Sequence, residues 1–533
     1  MSNTKNALII NLTRFGDLLQ SQPVLSGLKD QGFINHLICL ENFLSAARLL
    51  EHAHEIHALP GAKFLALLDS SWPDAVAAFS QWLDSALSTR SFDLLVNLTP
   101  SLSARLLASR IKAREFRGFF LDEMGFGRYS GNWAAYLQAS SGHRGSSPFN
   151  IVDIFLKTAD LEPSGSGLSV TEPDPETWQI IGAKLADFAP ASSLEGFAAF
   201  QMGASQDKRR WPLEYFVRLG DLLYQELKIC PVLLGTEQEK GLAARYQSRA
   251  LGPAIDLSGQ TSLPELEAVL QHCQVLVTND TGTMHLASAL QVRCAAFFLA
   301  TAQPWDTGPY LDNCLCLEPG MDCHPCSFSH ECTREFACRW SITPETVFQA
   351  LKNFLTCGIW PGIQTRQARM HKTGFHRGFY TLSPLNQAAE HNYSRWMAVQ
   401  KYYYSLFLDN LPIESPDHLK KPDQAYCQKI VQHLQTVLPV LNLAVAQGRA
   451  LKKTAAPPVK NKFISTWQRL SSQLSSSPWM PVLGLLWTYQ SQSVSRNLDQ
   501  VIELCQSYQK LLTAIAAFLQ SDRLCANLDK PCQ

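Results

Sequence analysis

The chain has 533 residues, 46% of them hydrophobic and 17% charged, with zero formal net charge. That length suits about three domains, and the balance is an ordinary globular one with ample material for a core. No apolar run approaches the roughly 18 residues that a membrane-spanning helix needs.

Met-Ser-Asn-Thr-Lys-Asn passes straight into a strand-like run, Ala7 to Leu12, with no signal-like apolar segment before it. Thr13 to Asp17 is a turn, and Leu18 to Lys29 reads as a helix. His36 to Leu40 and Phe92 to Leu98 are further strands, separated by helical patterns. Such alternation predicts right-handed βαβ units and a parallel sheet. Arg105, Arg110, Lys112, Arg114 and Arg117 then crowd together, opposed only by Glu115. They read either as a solvated helix face or as a patch for an anionic acceptor. The Ser-, Gly- and Pro-rich stretch from Pro163 to Pro175 suits a linker.

A second α/β series follows. Gly196 to Gln201 is a strand ending in Met202-Gly203-Ala204-Ser205, and Pro212 opens a helix running from Leu213 to Leu227. Cys230 to Leu234 is the next strand, followed by Gly235-Thr236-Glu237, and Thr261 to Glu265 looks like a capped helix start. Val275 to Thr278 reads as a buried strand, Asn279-Asp280-Thr281-Gly282-Thr283 as a tight turn, and Met284, Leu286, Ala287 and Leu290 fall at helical spacing. The N–H groups at such a helix start, with the helix dipole, make an anion site, to which His285 can add a donor. Cys294 to Leu299 is the last strand of this series.

Cys323, Cys326, Cys332 and Cys338 follow in C-x2-C-x5-C-x5-C spacing, and Thr343-Pro344-Glu345 caps a helix to about Cys357. The spacing permits a structural zinc site, although it is not a paired C-x2-C ribbon. The remaining cysteines among the total of 15 mostly stand singly in apolar runs (Cys39, Cys230, Cys273, Cys294), which favours a reducing, cytoplasmic setting. Beyond Trp360 the alternation stops. Helices are expected over residues 389–408, 425–443 and 498–519, with a break at Ala455-Ala456-Pro457-Pro458. From Trp360 to Gln533 there are 19 Lys and Arg against 9 Asp and Glu, so a basic extension follows an acidic body. Its aromatics Trp396, Tyr402, Tyr403, Tyr404 and Phe407 read either as the core of a small bundle or as a surface for peripheral contact with the inner face of a membrane. No nucleic-acid partner is expected.

Four motifs carry a resemblance over residues 6–357. They are Ile10 to Asp17; Gly203-Ala204-Ser205 with Arg209-Arg210-Trp211-Pro212; Asn279 to Ala287; and the cysteine cluster leading into Ile342-Thr343-Pro344-Glu345. In order and spacing they resemble the family-nine glycosyltransferases, the ADP-heptose:lipopolysaccharide heptosyltransferases and their kin. The resemblance implies an α/β chain of GT-B architecture, with two Rossmann-like domains facing across a cleft. Residues 1–165 would hold the acceptor and 176–359 the nucleotide sugar, with 360–533 a helical extension. It implies an inverting transferase with no required cofactor, an ADP-heptose-like donor, and a lipid-linked or surface glycan acceptor.

On that resemblance Asp17 matches the base. Ser205, Arg209, Asp280, Thr281, Gly282, Thr283 and His285 surround the diphosphate, and either Glu237 or Glu239 holds the ribose. Arg14, Arg110, Arg114 and Arg117 are the candidate acceptor contacts. Thr283 replaces a common Pro, Arg209 a common Lys, and Leu299-Ala300-Thr301 a common Gly-Pro-Thr, all on the donor side. A sugar-nucleotide epimerase and a non-catalytic sugar-nucleotide-binding protein are the competing readings.

Overall fold

A computed structural model describes residues 5–87, 90–188, 194–327, 331–454, 456–494 and 497–521. It divides into two units, one of residues 1–129 and 149–389, the other of residues 130–148 and 390–533.

The first unit is built on two sheets. Strands β1 (Lys5–Ile10), β2 (Phe33–Leu40), β3 (Glu55–Leu59), β4 (Phe92–Asn97), β5 (Ala113–Leu121) and β6 (Gly127–Tyr129) lie in the order β3-β2-β1-β4-β5-β6. All pairs are parallel except β5 with β6. Apolar runs form these strands because helices cover both faces, so Ala7 to Ile10 and Leu94 to Val96 are fully buried. The second sheet contains β7 (Gly196–Gln201), β8 (Ile229–Leu234), β9 (Ile255–Asp256), β10 (Val275–Asn279), β11 (Cys294–Phe297), β12 (Leu315–Pro319), β13 (Ala368–His376) and β14 (Phe379–Pro384). Its order is β14-β13-β12-β11-β10-β7-β8-β9. In each sheet the order reverses beside the first strand, at β1/β4 and at β7/β10. Crevices at the carboxyl ends of such switch points are where open α/β sheets bind ligands.

The sequence boundary near residue 360 is displaced. Strands β13 and β14 add an antiparallel hairpin to β12 and belong to the second sheet. The strand pattern is masked because Arg369 and His371 are buried charged or polar residues. They face buried Glu318 of β12, whose carboxylate lies 3.3 Å from His371 Nδ1 and 3.4 Å from His324 Nδ1.

The second unit is helical: Gly131–Gly142, Asn392–Leu408, Gln424–Lys453, Pro457–Ser475, Pro481–Val494 and Leu498–Gln520. The first of these helices was expected within the acceptor domain. It leaves that domain because seven of its twelve residues, Trp133 and Tyr136 among them, are buried in the helical unit's core. There Trp133 Nε1 donates to Asp409 Oδ1 at 2.7 Å. Trp396, Tyr403, Tyr404, Trp487 and Tyr508 are buried in the same core. Of the two readings of these aromatics, the bundle core is the one the burial supports, against the membrane surface. Of the five residues proposed for it, only Tyr402 escapes full burial. The expected break at 455–458 holds from Ala456, which precedes the helix at Pro457, while Ala455 lies outside the described residues.

Candidate active site

Asp17 lies just beyond the carboxyl end of β1, in the first turn of the short helix Phe15–Leu19. The turn is held by two buried amides. Asn11 Nδ2 donates to the Asp17 carbonyl at 3.3 Å, and Asn11 Oδ1 accepts from Thr13 N at 3.2 Å. Asn97 Oδ1 accepts from Thr99 N, and Thr99 Oγ1 accepts from Leu12 N at 2.9 Å, which ties the ends of β1 and β4 together.

The helix Gly282–Ala289 starts at the carboxyl end of β10, with Thr281 as its N-cap residue. No side chain caps it, and the first N–H groups of any helix lack intrahelical partners. The two helix starts meet. A Cβ placed on Gly16 would lie 2.9 Å from His285 Cδ2 and 3.6 Å from Gly282 Cα, and one placed on Gly282 would strike the Phe15 ring. Glycine at both positions lets the Asp17 turn close on the Thr281–His285 turn, residues that lie far apart in sequence. His285 is buried, its Nδ1 has no hydrogen-bond partner, and burial lowers its pKa to about 4. The imidazole is therefore neutral at pH 7 and has one N–H donor and one ring-nitrogen acceptor.

The donor-side residues form one connected wall. Asn279, fully buried, accepts from Trp211 N at 2.8 Å and donates to the carbonyls of Met202 and Gly203 at 3.0 Å each. That fixes the Gly203–Ser205 turn beside the helix start, leaving Ser205 exposed. Arg209 Nε donates to Thr301 Oγ1 at 2.7 Å, and its Nη1 lies 3.6 Å from Asp280 Oδ2. Gln201 links the two halves of the wall: its Oε1 accepts from Thr283 Oγ1 at 3.3 Å, and its Nε2 donates to Glu239 Oε2 at 3.4 Å.

The two ribose candidates part company here. Glu239 closes a capping box with Thr236 and stands against Gly203, where an added Cβ would overlap its Oε1. Glu237 is exposed and pairs with Lys240 at 2.8 Å.

The glycosyltransferase family 9 (heptosyltransferase) model matches residues 82–336 of this chain. That region carries the glycosyltransferase family 9 match. Lipopolysaccharide heptosyltransferase 3 of Escherichia coli is 26% identical over 306 residues, covering 54% of this chain and 83% of that protein. Lipooligosaccharide heptosyltransferase 2 of Haemophilus ducreyi is 31% identical over 117 residues, covering 20% of this chain and 32% of that protein. A family 9 crystal structure from Veillonella parvula aligns with 67% of this chain and 98% of its own, at a TM-score of 0.54 and 18% identity. The chain has the GT-B fold, two Rossmann-like domains, with the helical unit added.

Not every predicted residue reaches the candidate site. Arg14 caps the Asp17 helix and is close by. Arg110 follows the helix Leu102–Ser109 and precedes β5, while Arg114 is the second residue of β5. Ala113 is in register with Phe92 at the start of β4, so both arginines sit at the edge of the sheet opposite Asp17. Arg114 pairs instead with Asp93 at 3.3 Å. Arg117 donates to the Ala159 carbonyl and to Glu115, each at 2.7 Å. The expected four-arginine acceptor patch is therefore not assembled.

The four cysteines do gather, and burial together with the neighbouring Cys338, Cys323 and Cys332 holds the Cys326 thiol above its ordinary range. No three of their sulfurs lie within 4.8 Å of one another. Sulfurs around tetrahedral zinc are separated by roughly 3.8 Å, so the thiols as placed stand wider apart than in a closed zinc site.

Asn97, Thr99 and Gln201 were missed, and Asn279 and Thr301, although inside the motifs read, had been given no role. Their common signal is a small polar residue at or just past the carboxyl end of an apolar strand, where the interior would otherwise exclude it.

Proposed function

We propose that this enzyme moves a heptose from an ADP-heptose donor to a lipid-linked, lipopolysaccharide-type glycan, with inversion and without a metal in the chemistry. The observation that carries the reading is the meeting of the Asp17 turn with the Thr281–His285 helix start, at the two switch points.

An acceptor hydroxyl attacking the anomeric carbon must lose a proton, and a carboxylate within hydrogen-bond reach takes it. Asp17 fills that role. The departing nucleoside diphosphate develops charge on its outer phosphate. The Gly282 and Thr283 N–H groups, the helix dipole, the exposed Ser205 hydroxyl and Arg209 answer that charge without a cation. Thr301 accepts from Arg209 Nε and Asp280 pairs with its Nη1, which orients the guanidinium. His285, neutral and buried, offers one N–H to the same region. Glu239, steadied by Thr236 and Gln201, accepts from the ribose hydroxyls. The heptose and the surface-glycan acceptor are taken from the relatives' own activities.

The test incubates full-length protein and Asp17→Ala with ADP-heptose and a truncated lipopolysaccharide core, with and without EDTA. Transfer with an inverted anomeric proton signal, insensitive to EDTA and lost in the variant, is the expected result. Release or isomerisation of the sugar without acceptor, or no turnover of ADP-heptose at all, would overturn the reading.

A further inference from the structure

Among the described residues, one set of three His, Cys, Asp or Glu ligand atoms lies within 4.8 Å of one another: His36, Glu55 and His57. The set is far in sequence from the cysteine cluster and has no part in the transfer chemistry. Parallel pairing of β2 with β3 builds it. His36 is in register with Glu55, and Glu55 and His57, two apart on β3, share one face of the strand. The imidazoles stack at 5.8 Å with their planes 6° apart, and both are buried.

We infer that His36 Nδ1, His57 Nε2 and the Glu55 carboxylate form a structural site for a divalent transition metal of the zinc class, which pins edge strand β3 to β2. Three observations carry the inference. The first is spacing. Glu55 oxygens lie 3.5 Å from His36 Nδ1 and 3.8 Å from His57 Nε2. Bonds of roughly 2.0–2.2 Å at tetrahedral angles would set ligand atoms about 3.3–3.5 Å apart; one ligand atom from each residue already lies within 4.8 Å of the other two, so the set must contract to close on a metal.

The second is composition. Two imidazoles and one carboxylate are three acceptors converging on a place where a cation belongs, and nitrogen–oxygen sets of this kind suit zinc. The third is an orphan. Arg90 Nη1 pairs with Glu55 and lies 3.1 Å from His36 Nδ1, so a guanidinium serves two of the three acceptors. His57 Nε2, buried, has no hydrogen-bond partner at all. Buried polar atoms are rarely left so, and a metal satisfies all three ligands together. Arg90 is about 40% exposed and can turn outward when the metal enters.

The site lies in the amino-terminal half of β2 and β3, at the far edge of the first sheet from the crevice where Asp17 stands. Its effect is therefore on stability.

The test is zinc binding to the full chain, followed by competition with a chromophoric chelator. It is run in parallel on a Cys323→Ser/Cys326→Ser background, so that the thiols do not capture the metal. One zinc per chain is expected, with a thermal midpoint raised by zinc. His57→Ala should weaken binding at least about tenfold and abolish the zinc-dependent rise. Arg90→Ala removes the competing cation and should tighten binding several-fold. The inference is overturned if the background protein binds no zinc, or if His57→Ala binds as tightly as its parent. If His57→Ala fails to fold, Arg90→Ala decides. Tighter binding supports the site, and unchanged or weaker binding refutes it.

Discussion

Replacing Gly203 with Ala probes the donor wall without substituting a charged residue. The added methyl would overlap Glu239 Oε1, so the carboxylate must swing away. Glu239 would then lose its bonds from Thr236 N at 2.8 Å and Thr236 Oγ1 at 3.2 Å. Loss of that capping interaction should cost about 0.5–2 kcal/mol of stability. The larger effect falls on the nucleotide. A hydrogen bond to a charged carboxylate contributes about 1.5–3 kcal/mol, so ADP affinity should fall roughly 10–150-fold. Isothermal calorimetry with ADP measures this directly, alongside thermal melts that separate it from unfolding. Glu239→Gln should shift ADP affinity in the same direction, while Glu237→Gln, whose carboxylate faces Lys240, should leave it unchanged. If both Gly203→Ala and Glu239→Gln bind ADP within twofold of the parent, or if Glu237→Gln shows the greater loss, the assignment of the ribose to Glu239 is wrong.

Asp17→Ala should lower the transfer rate by ~10²–10⁴-fold while leaving the ADP Kd within a few fold, and single-turnover rates with calorimetry separate the two. Asn279→Ala removes one acceptor and two donations from the buried wall. It should cost about 2–4 kcal/mol in denaturant titrations, and a loss below about 1 kcal/mol would contradict the role given to Asn279. His285, lowered by burial to about 4, makes stability depend on acid. Above pH 6.5 it is neutral both folded and unfolded. As pH falls toward 4 only the unfolded chain takes up the proton, so stability is lost across that window, by up to about 3 kcal/mol. His285→Gln should flatten the stability profile between pH 6.5 and 4, and equal slopes in both proteins would refute this.

Both Rossmann-like sheets were legible in the sequence because parallel strands buried on two faces appear as plain apolar runs. Ala7 to Leu12 and Val275 to Thr278 could be read without ambiguity. The turn motifs were legible for a related reason: Gly16 and Gly282 stand where backbones must approach closely. Strand β13 was hidden because it buries Arg369 and His371 against Glu318, and a pattern reader takes three polar groups in a row of inward positions for a loop. The acceptor patch failed for a different reason. Closeness in sequence placed Arg110, Arg114 and Arg117 together, but Arg114 and Arg117, three apart on β5, point to opposite faces of the sheet. Only register could show that Arg110 and Arg114 lie at the wrong edge.

The excursion of residues 130–148 sets the order in which the molecule can be completed. The chain crosses between the two units three times, near residues 129, 148 and 389. During synthesis, helix Gly131–Gly142 emerges with seven residues that have no burial place until the helices after Asn392 are made. The first half of the protein thus carries an unpaid apolar debt for some 250 residues of elongation. A ribosome-bound chain stopped anywhere in that interval should engage holdase chaperones. Trimming the gene at residue 389 would make that transient exposure permanent, so a soluble shortened enzyme needs helix 131–142 replaced by a polar loop as well.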